Sequence, residues 1–236
     1  MELRHILLGV GFALIWASAF PSAKMAVQFC PPFLFLFMRF LSAGLFSIML
    51  GAYLGQSLNF DRKSLLWITT FGLIQNGLYL GLIFLALTKI DANVSVIIAS
   101  ILPLTVAFFS WIFFKAKISF LGLFGLVVGL AGVLLIMLQR VEKEIELLGI
   151  TLCLLGLLAT TFSTLIITKI KINKNNILIV VGLQMLAGSL FLLPLSYFFE
   201  IWSVSFNVTF LFTFIYIAAF PGIIGPVIWF YLQKEI

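Results

Sequence analysis

Three kinds of side chain in this sequence could do chemistry inside an apolar surrounding: carboxamides, hydroxyls and one guanidinium. Gln75, Asn76 and Tyr79 stand near the middle of the apolar run 65–88. Thr69, Gly72, Asn76 and Tyr79 recur at spacings of three and four, which puts them on one narrow face of a helix. The run 92–114 carries Ser100, Pro103 and Ser110. Trp16, Ser18, Pro21 and Ser22 interrupt the first apolar run, and Thr160, Thr164 and Thr168 share a line in a later one. Pro221, Gly222, Gly225, Pro226 and Trp229 mark the last. Amides and hydroxyls at such positions exchange hydrogen bonds with a solute, and indole rings pack against it. The chemistry this pattern supports is recognition in a cavity.

Each feature has a plainer reading. Ser, Thr and Gly also let helices pack closely, and for any one hydroxyl that reading leads. For Gln75 and Asn76 both readings stay open, because an amide at mid-depth is costly without partners. Pro21 cannot donate to the carbonyl of Ala17, nor Pro103 to that of Ala99, so both free an acceptor. Arg39 falls roughly 10 Å into its apolar run at 1.5 Å per residue. It either snorkels to the headgroups or adds a positive charge to a solute path, with Lys24. The cavity candidates are therefore Trp16, Ser18, Ser22, Arg39, Gln75, Asn76, Tyr79, Ser100, Pro103, Thr160, Thr164, Pro221 and Trp229.

Catalysis is not expected. No Asp or Glu falls inside any apolar run, so neither a carboxylate proton relay nor a paired-aspartate protease has candidates. His5 is the one histidine, and Cys30 and Cys153 form no disulfide framework or metal pattern. No cofactor and no metal are expected. The net charge of +6 has its account in basic loops at a membrane face, and no nucleic-acid partner is implied.

The elements that must position these residues are membrane helices. Of 236 residues 63% are hydrophobic and 9% charged, and the mean hydropathy is +1.25. So few charges could not cover that much apolar surface in water. The fold class is all-α: a polytopic helical membrane protein, with the lipid bilayer as its first partner. Eight spans are expected, at 5–23, 32–54, 65–88, 92–114, 118–138, 147–168, 176–199 and 207–232. Each is long enough for a hydrocarbon core of about 30 Å. Spans three and four are joined only by Lys89-Ile90-Asp91, which forces an antiparallel hairpin at the centre of the architecture. The first run could pass for a signal peptide, but with seven more spans behind it a retained helix is expected.

Basic residues orient the bundle. With the N-terminus cytoplasmic, Arg4, Arg62, Lys63, Lys115, Lys117, Lys169, Lys171, Lys174 and Lys234 lie inside, and Lys24, Lys89, Arg140 and Lys143 outside. Nine against four supports that orientation.

The polar segment 139–146 divides five spans from three. Leu7-Leu8-Gly9 matches Leu147-Leu148-Gly149, Ala43-Gly44 matches Ala187-Gly188, and the segment 84–89 lies opposite 229–234, at offsets of 140, 144 and 145. Two units are expected, 1–138 with five spans and 145–236 with three. An odd number of spans per unit inverts the second against the first, a transporter signature. On this count the second unit is incomplete, and the expected parent chain continues for two spans, or another chain supplies them. Gly125 and Gly129 form a small-xxx-small pair, read either as close packing within the chain or as a homodimer seam.

Ile15-Trp16-Ala17-Ser18-Ala19-Phe20, the Arg39 span, Ala86-Leu87 before the short link, and Ile101-Leu102-Pro103-Leu104 before Phe113-Phe114-Lys115 resemble the EamA family of the drug/metabolite transporter superfamily. The resemblance covers essentially the whole chain. Ala116 stands where that family usually carries an acid. The resemblance implies two inverted five-helix units and export or exchange of a small metabolite or drug-like solute across the bacterial inner membrane by alternating access. The alternative is a membrane assembly partner, or an inactive relic, that transports nothing.

Overall fold

The computed structural model describes residues 3–115, 122, 124, 125, 127–129, 131, 132, 135, 147–170, 172 and 175–235. Among them seven helical segments are long and apolar enough to cross a membrane: Leu3–Ala26, Pro32–Tyr53, Arg62–Leu87, Ala92–Phe114, Leu147–Lys169, Ile177–Phe199 and Val208–Gln233. In lipid the backbone must satisfy itself, which is why runs this apolar become helices. The expected fifth span, 118–138, lies largely outside the described residues. A Cβ on Gly125 or Gly129 would meet nothing within 4 Å among the described residues.

Helix α1 is Leu3–Ala26 and α2 is Pro32–Tyr53. The third span is not one α-helix. It runs as α3 (Arg62–Gly72), a π-helical stretch Leu73–Tyr79, and α4 (Leu80–Leu87). The fourth breaks into α5 (Ala92–Ala99) and α6 (Leu102–Phe114), because Pro103 has no N–H for the carbonyl of Ala99. Then come α7 (Leu147–Ile166) with a 3₁₀ turn Ile167–Lys169, and α8 (Ile177–Phe199). The last span is α9 (Val208–Ile217), a second π-helical stretch Ala218–Ile224, and α10 (Gly225–Glu235). Pro21 does not break α1. The hydroxyl of Ser18 donates to Ile15 O at 2.8 Å and that of Ser22 to Ser18 O at 2.9 Å.

Helix α8 is the axis of the bundle, held on two faces by backbone contact that only glycine permits. Against α2, a Cβ on Gly182 would stand 2.8 Å from Gly44 O, and one on Gly44 would stand 3.1 Å from Gly182 O. Against the third span, a Cβ on Gly72 would stand 2.2 Å from Gln184 O, and one on Gly188 would stand 2.4 Å from Asn76 Cβ. Such small-residue seams bring membrane helices within van der Waals reach of each other's backbone. By contrast α6 buries no residue.

The two ends of the bundle are tied by polar contacts. At one end Ser57 N donates to Asn175 O at 2.7 Å, Leu178 N donates to Gln56 Oε1 at 2.9 Å, and the Arg4 guanidinium lies 5.3 Å from the Tyr231 ring centre. At the other end Ser205 N donates to Phe29 O at 2.8 Å. There the Glu200 carboxylate, just past α8, accepts from Phe33 N at 2.7 Å and Leu34 N at 2.8 Å, capping the first turn of α2. Burial raises the Glu200 pKa above its ordinary value, against the pull of these two backbone donors. Burial, reinforced by the Glu200 charge, also pushes the Cys30 thiol up to about 12. Lys24 Nζ donates to the carbonyls of Leu87 and Ile90 at 2.7 and 2.8 Å, so it caps α4 and the central link. Lys24 is bound to backbone and lines neither of the cavities that Arg39 faces.

Candidate functional site

A cavity of about 370 Å³ lies within the bundle, walled by all seven of these spans. The first π-helical stretch supplies its amides. Gln75 Oε1 accepts from Thr160 Oγ1 at 3.0 Å and from Ser163 Oγ, tying the stretch to α7. Asn76 Nδ2 donates to Gln184 O at 3.1 Å, tying it to α8. The Asn76 bond follows from spacing. Gly72 and Asn76 are one helical turn apart, as are Gln184 and Gly188, and the two glycines let the amide reach the facing carbonyl. A wide π turn at this point is a common feature of functional sites in helices.

The opposite wall is aromatic. Phe12 packs on Trp16 with ring centres 5.6 Å apart and stacks on Trp229 at 5.2 Å. Pro221 in the second π-helical stretch and Pro226 at the start of α10 reach the same space, with Ser100 and Pro103 at the α5–α6 break. Thr164 lines it with its hydroxyl turned back to Thr160 O at 2.8 Å. A second cavity of about 530 Å³ shares Thr164 and Phe230 with the first and leads toward the end that carries Lys169.

Among the described residues Arg39 is the only charged one on the wall of the central cavity. It is 4% exposed, which rules out snorkelling to the surface of the bundle. Its guanidinium lies 4.8 Å from the Phe40 ring centre, and its Nε is buried without a hydrogen-bond partner. It also lines a void of about 40 Å³ that continues toward the Lys24 end, between Phe20, Tyr79 and Phe84.

Ten of the sequence candidates thus surround one space: Trp16, Arg39, Gln75, Asn76, Ser100, Pro103, Thr160, Thr164, Pro221 and Trp229. Tyr79 faces the smaller void. Ser18 and Ser22 line neither. Ser18 instead lies 2.5 Å from the Tyr216 hydroxyl, joining α1 to α9. Gln184 is a wall residue that sequence reasoning missed. It is 2% exposed, and its Oε1 has no partner. The signal was a carboxamide eight residues into an apolar span, of the same kind that singled out Asn76. Among the described residues no three His, Cys, Asp or Glu side chains come together as metal ligands would.

A bundle of membrane-crossing helices around a solute-sized, mostly neutral cavity defines a membrane transporter. The chain belongs to the EamA-like transporter family, which matches residues 3–138. It is 29% identical, over 98% of its own length and 77% of the relative's, to an uncharacterized transporter encoded in the trpA 3′ region of Buchnera aphidicola subsp. Schlechtendalia chinensis. It is 25% identical to the uncharacterized transporter YvbV of Bacillus subtilis, over 97% of this chain and 75% of that one. Protein PagO of Salmonella typhimurium is 24% identical over 99% of this chain and 78% of its own.

Proposed function

We propose that this chain is a secondary carrier that moves a small organic solute outward, or exchanges it, across a bacterial inner membrane by alternating access. The observation that carries the reading is the central cavity walled by two π-helical stretches at matched positions. Leu73 and Ala218 are 145 residues apart, as are Tyr79 and Ile224, and the glycines Gly77 and Gly222 keep the same offset. That offset is one of those found between the sequence repeats, so the irregular backbone recurs where an inverted repeat would put it. Irregular backbone at membrane depth is tolerated where it lines a cavity, and substrate sites of repeat-built carriers lie there. The units 1–138 and 145–236, with the N-terminus cytoplasmic, belong to the same reading. The relatives named above come from bacteria, and the Buchnera and Bacillus proteins are named as transporters, which agrees with the proposed location and activity.

The test is counterflow in proteoliposomes with a metabolite panel. Flux of at least one solute should saturate and be stimulated by unlabelled solute on the far side. Ala99 lines the cavity, so Ala99→Trp should fill much of the space and abolish flux while the protein stays monodisperse. No saturable flux from the whole panel, or full flux through Ala99→Trp, would refute the proposal.

A further inference from the structure

We infer that the transported solute carries a single carboxylate on an apolar body, and that Arg39 binds the carboxylate at the cavity wall. This rests on the carrier reading above. The geometry asks for an anion. The guanidinium is buried, its Nε has no hydrogen-bond partner, and it lies over the Phe40 ring, which offers no lone pair in line with an N–H. A guanidinium does not escape burial by losing its proton. An uncompensated charge out of water is strongly unfavourable, and the remedy is an opposite charge with hydrogen bonds. Among the described residues no carboxylate lines either cavity that Arg39 faces. Gln184 Oε1 is the other buried unpartnered atom of a wall residue. Being neutral, it could accept one proton of the guanidinium but would leave the charge in place.

Stoichiometry narrows the class. Lys24, the nearest second cation in the sequence reading, is spent on the carbonyls of Leu87 and Ile90. One positive charge matches a monoanion, whereas a phosphate dianion would bring a second buried charge with no partner. A carboxylate also meets a guanidinium through two parallel hydrogen bonds. The rest of the wall, with Phe12, Trp16, Phe71 and Trp229, suits an aryl or alkyl body.

The experiment uses the whole chain in nanodiscs of phosphatidylcholine, which has no net charge to lend. Aryl and alkyl carboxylates such as hydrocinnamate are paired with their primary amides, and phenyl phosphate is added as a dianion. Carboxylates should bind and raise the melting temperature, and their amides should not. Arg39→Gln should weaken carboxylate binding about 10- to 100-fold, as expected for loss of a charge-assisted hydrogen bond. Arg39→Lys should restore part of it. Equal binding of acid and amide, absence of binding by every carboxylate, or selectivity that survives Arg39→Gln would overturn the inference. So would preference for the dianion, or a wild-type protein stabilised by phosphatidylglycerol with no response to carboxylates, which would make the anion a lipid headgroup. The comparison within the wild type stands even if Arg39→Gln fails to fold. Counterflow in the same lipid separates the two readings. Flux of neutral solutes without acid preference removes the carboxylate and leaves the carrier; carboxylate binding with no flux of any kind removes the carrier and leaves the site.

Discussion

Gly72→Ala should loosen the bundle at its axis. An ideal Cβ at this position stands 2.2 Å from Gln184 O and 2.8 Å from the Cα and C of the same residue. Ordinary contact begins near 3.4 Å, so α8 or the third span must retreat by roughly 1.2 Å. The obstacle is backbone, and no side-chain rotation relieves it. Overpacking typically costs about 1–3 kcal/mol, and a backbone obstacle belongs at the upper end. The retreat also stretches the Asn76 bond, because its acceptor is the same Gln184 carbonyl. Hydrogen bonds between membrane helices contribute about 0.6 kcal/mol on average. Better helix propensity of alanine returns about 1 kcal/mol at most. The net expectation is a loss of about 2–3 kcal/mol. Gly81→Ala is the internal control, since its Cβ would meet only side chains at ordinary contact distance, Leu192 Cδ2 at 3.4 Å and Phe33 Cε1 at 3.5 Å. Reversible unfolding in mixed micelles titrated with SDS measures both. If Gly72→Ala unfolds at the same SDS fraction as Gly81→Ala, the close backbone seam is not a source of stability and the reasoning fails.

Two further outcomes follow from the ends of the bundle. Glu200 has a raised folded-state pKa, so the folded chain keeps this proton where the unfolded chain has already lost it. Stability should then fall as pH rises from the ordinary value of 4.5 through the folded-state midpoint. Glu200→Gln should flatten that slope in melting temperature; identical slopes in the two proteins would remove Glu200 as its cause. For topology, a cysteine replacing Lys63 should be shielded from an impermeant maleimide in intact cells, and one replacing Lys89 should be labelled; the reverse pattern would overturn the proposed orientation. Cys30 and Cys153 are both buried and should react only after denaturation, so they need not be removed beforehand.

The spans were legible because hydropathy over some twenty residues is a strong signal that tertiary contacts do not override. The expected 176–199 appears as Ile177–Phe199, and 92–114 as Ala92–Phe114. The residues that converge on the cavity were legible for a related reason. Gln75, Asn76 and Arg39 are costly at mid-depth, so their presence alone marks a polar interior. What could not be read is what depends on a partner. Ser18 and Ser22 have the same spacing as the cavity hydroxyls, yet their bonds go back to α1 and to Tyr216. Lys24 and Glu200 sit among loop charges, and their use as caps depends on which helix end folds beside them. The π-helical stretches carry no compositional mark, since a widened turn depends on how the two halves of a span are seated.

That widening has a consequence for sequence length. A π turn accommodates one residue more than the α-helical period allows. Each residue of an α-helix advances about 100° and 1.5 Å. The stretch Leu73–Tyr79 therefore works as a phase shift within one span. It lets α3 present Gly72 to α8 while α4 turns Ile83 toward Gly156 of α7 and Phe84 toward Phe35 of α2, with the last two ring centres 5.7 Å apart. Deleting a single residue there would restore an unbroken helix and swing everything beyond it by more than a quarter-turn. Ile83 and Phe84 would leave their seats although every side chain needed for packing was still present. The number of residues between Gly72 and Leu80 is thus a constraint separate from their identity, and two sequences offset by one residue across this stretch would not superpose beyond it.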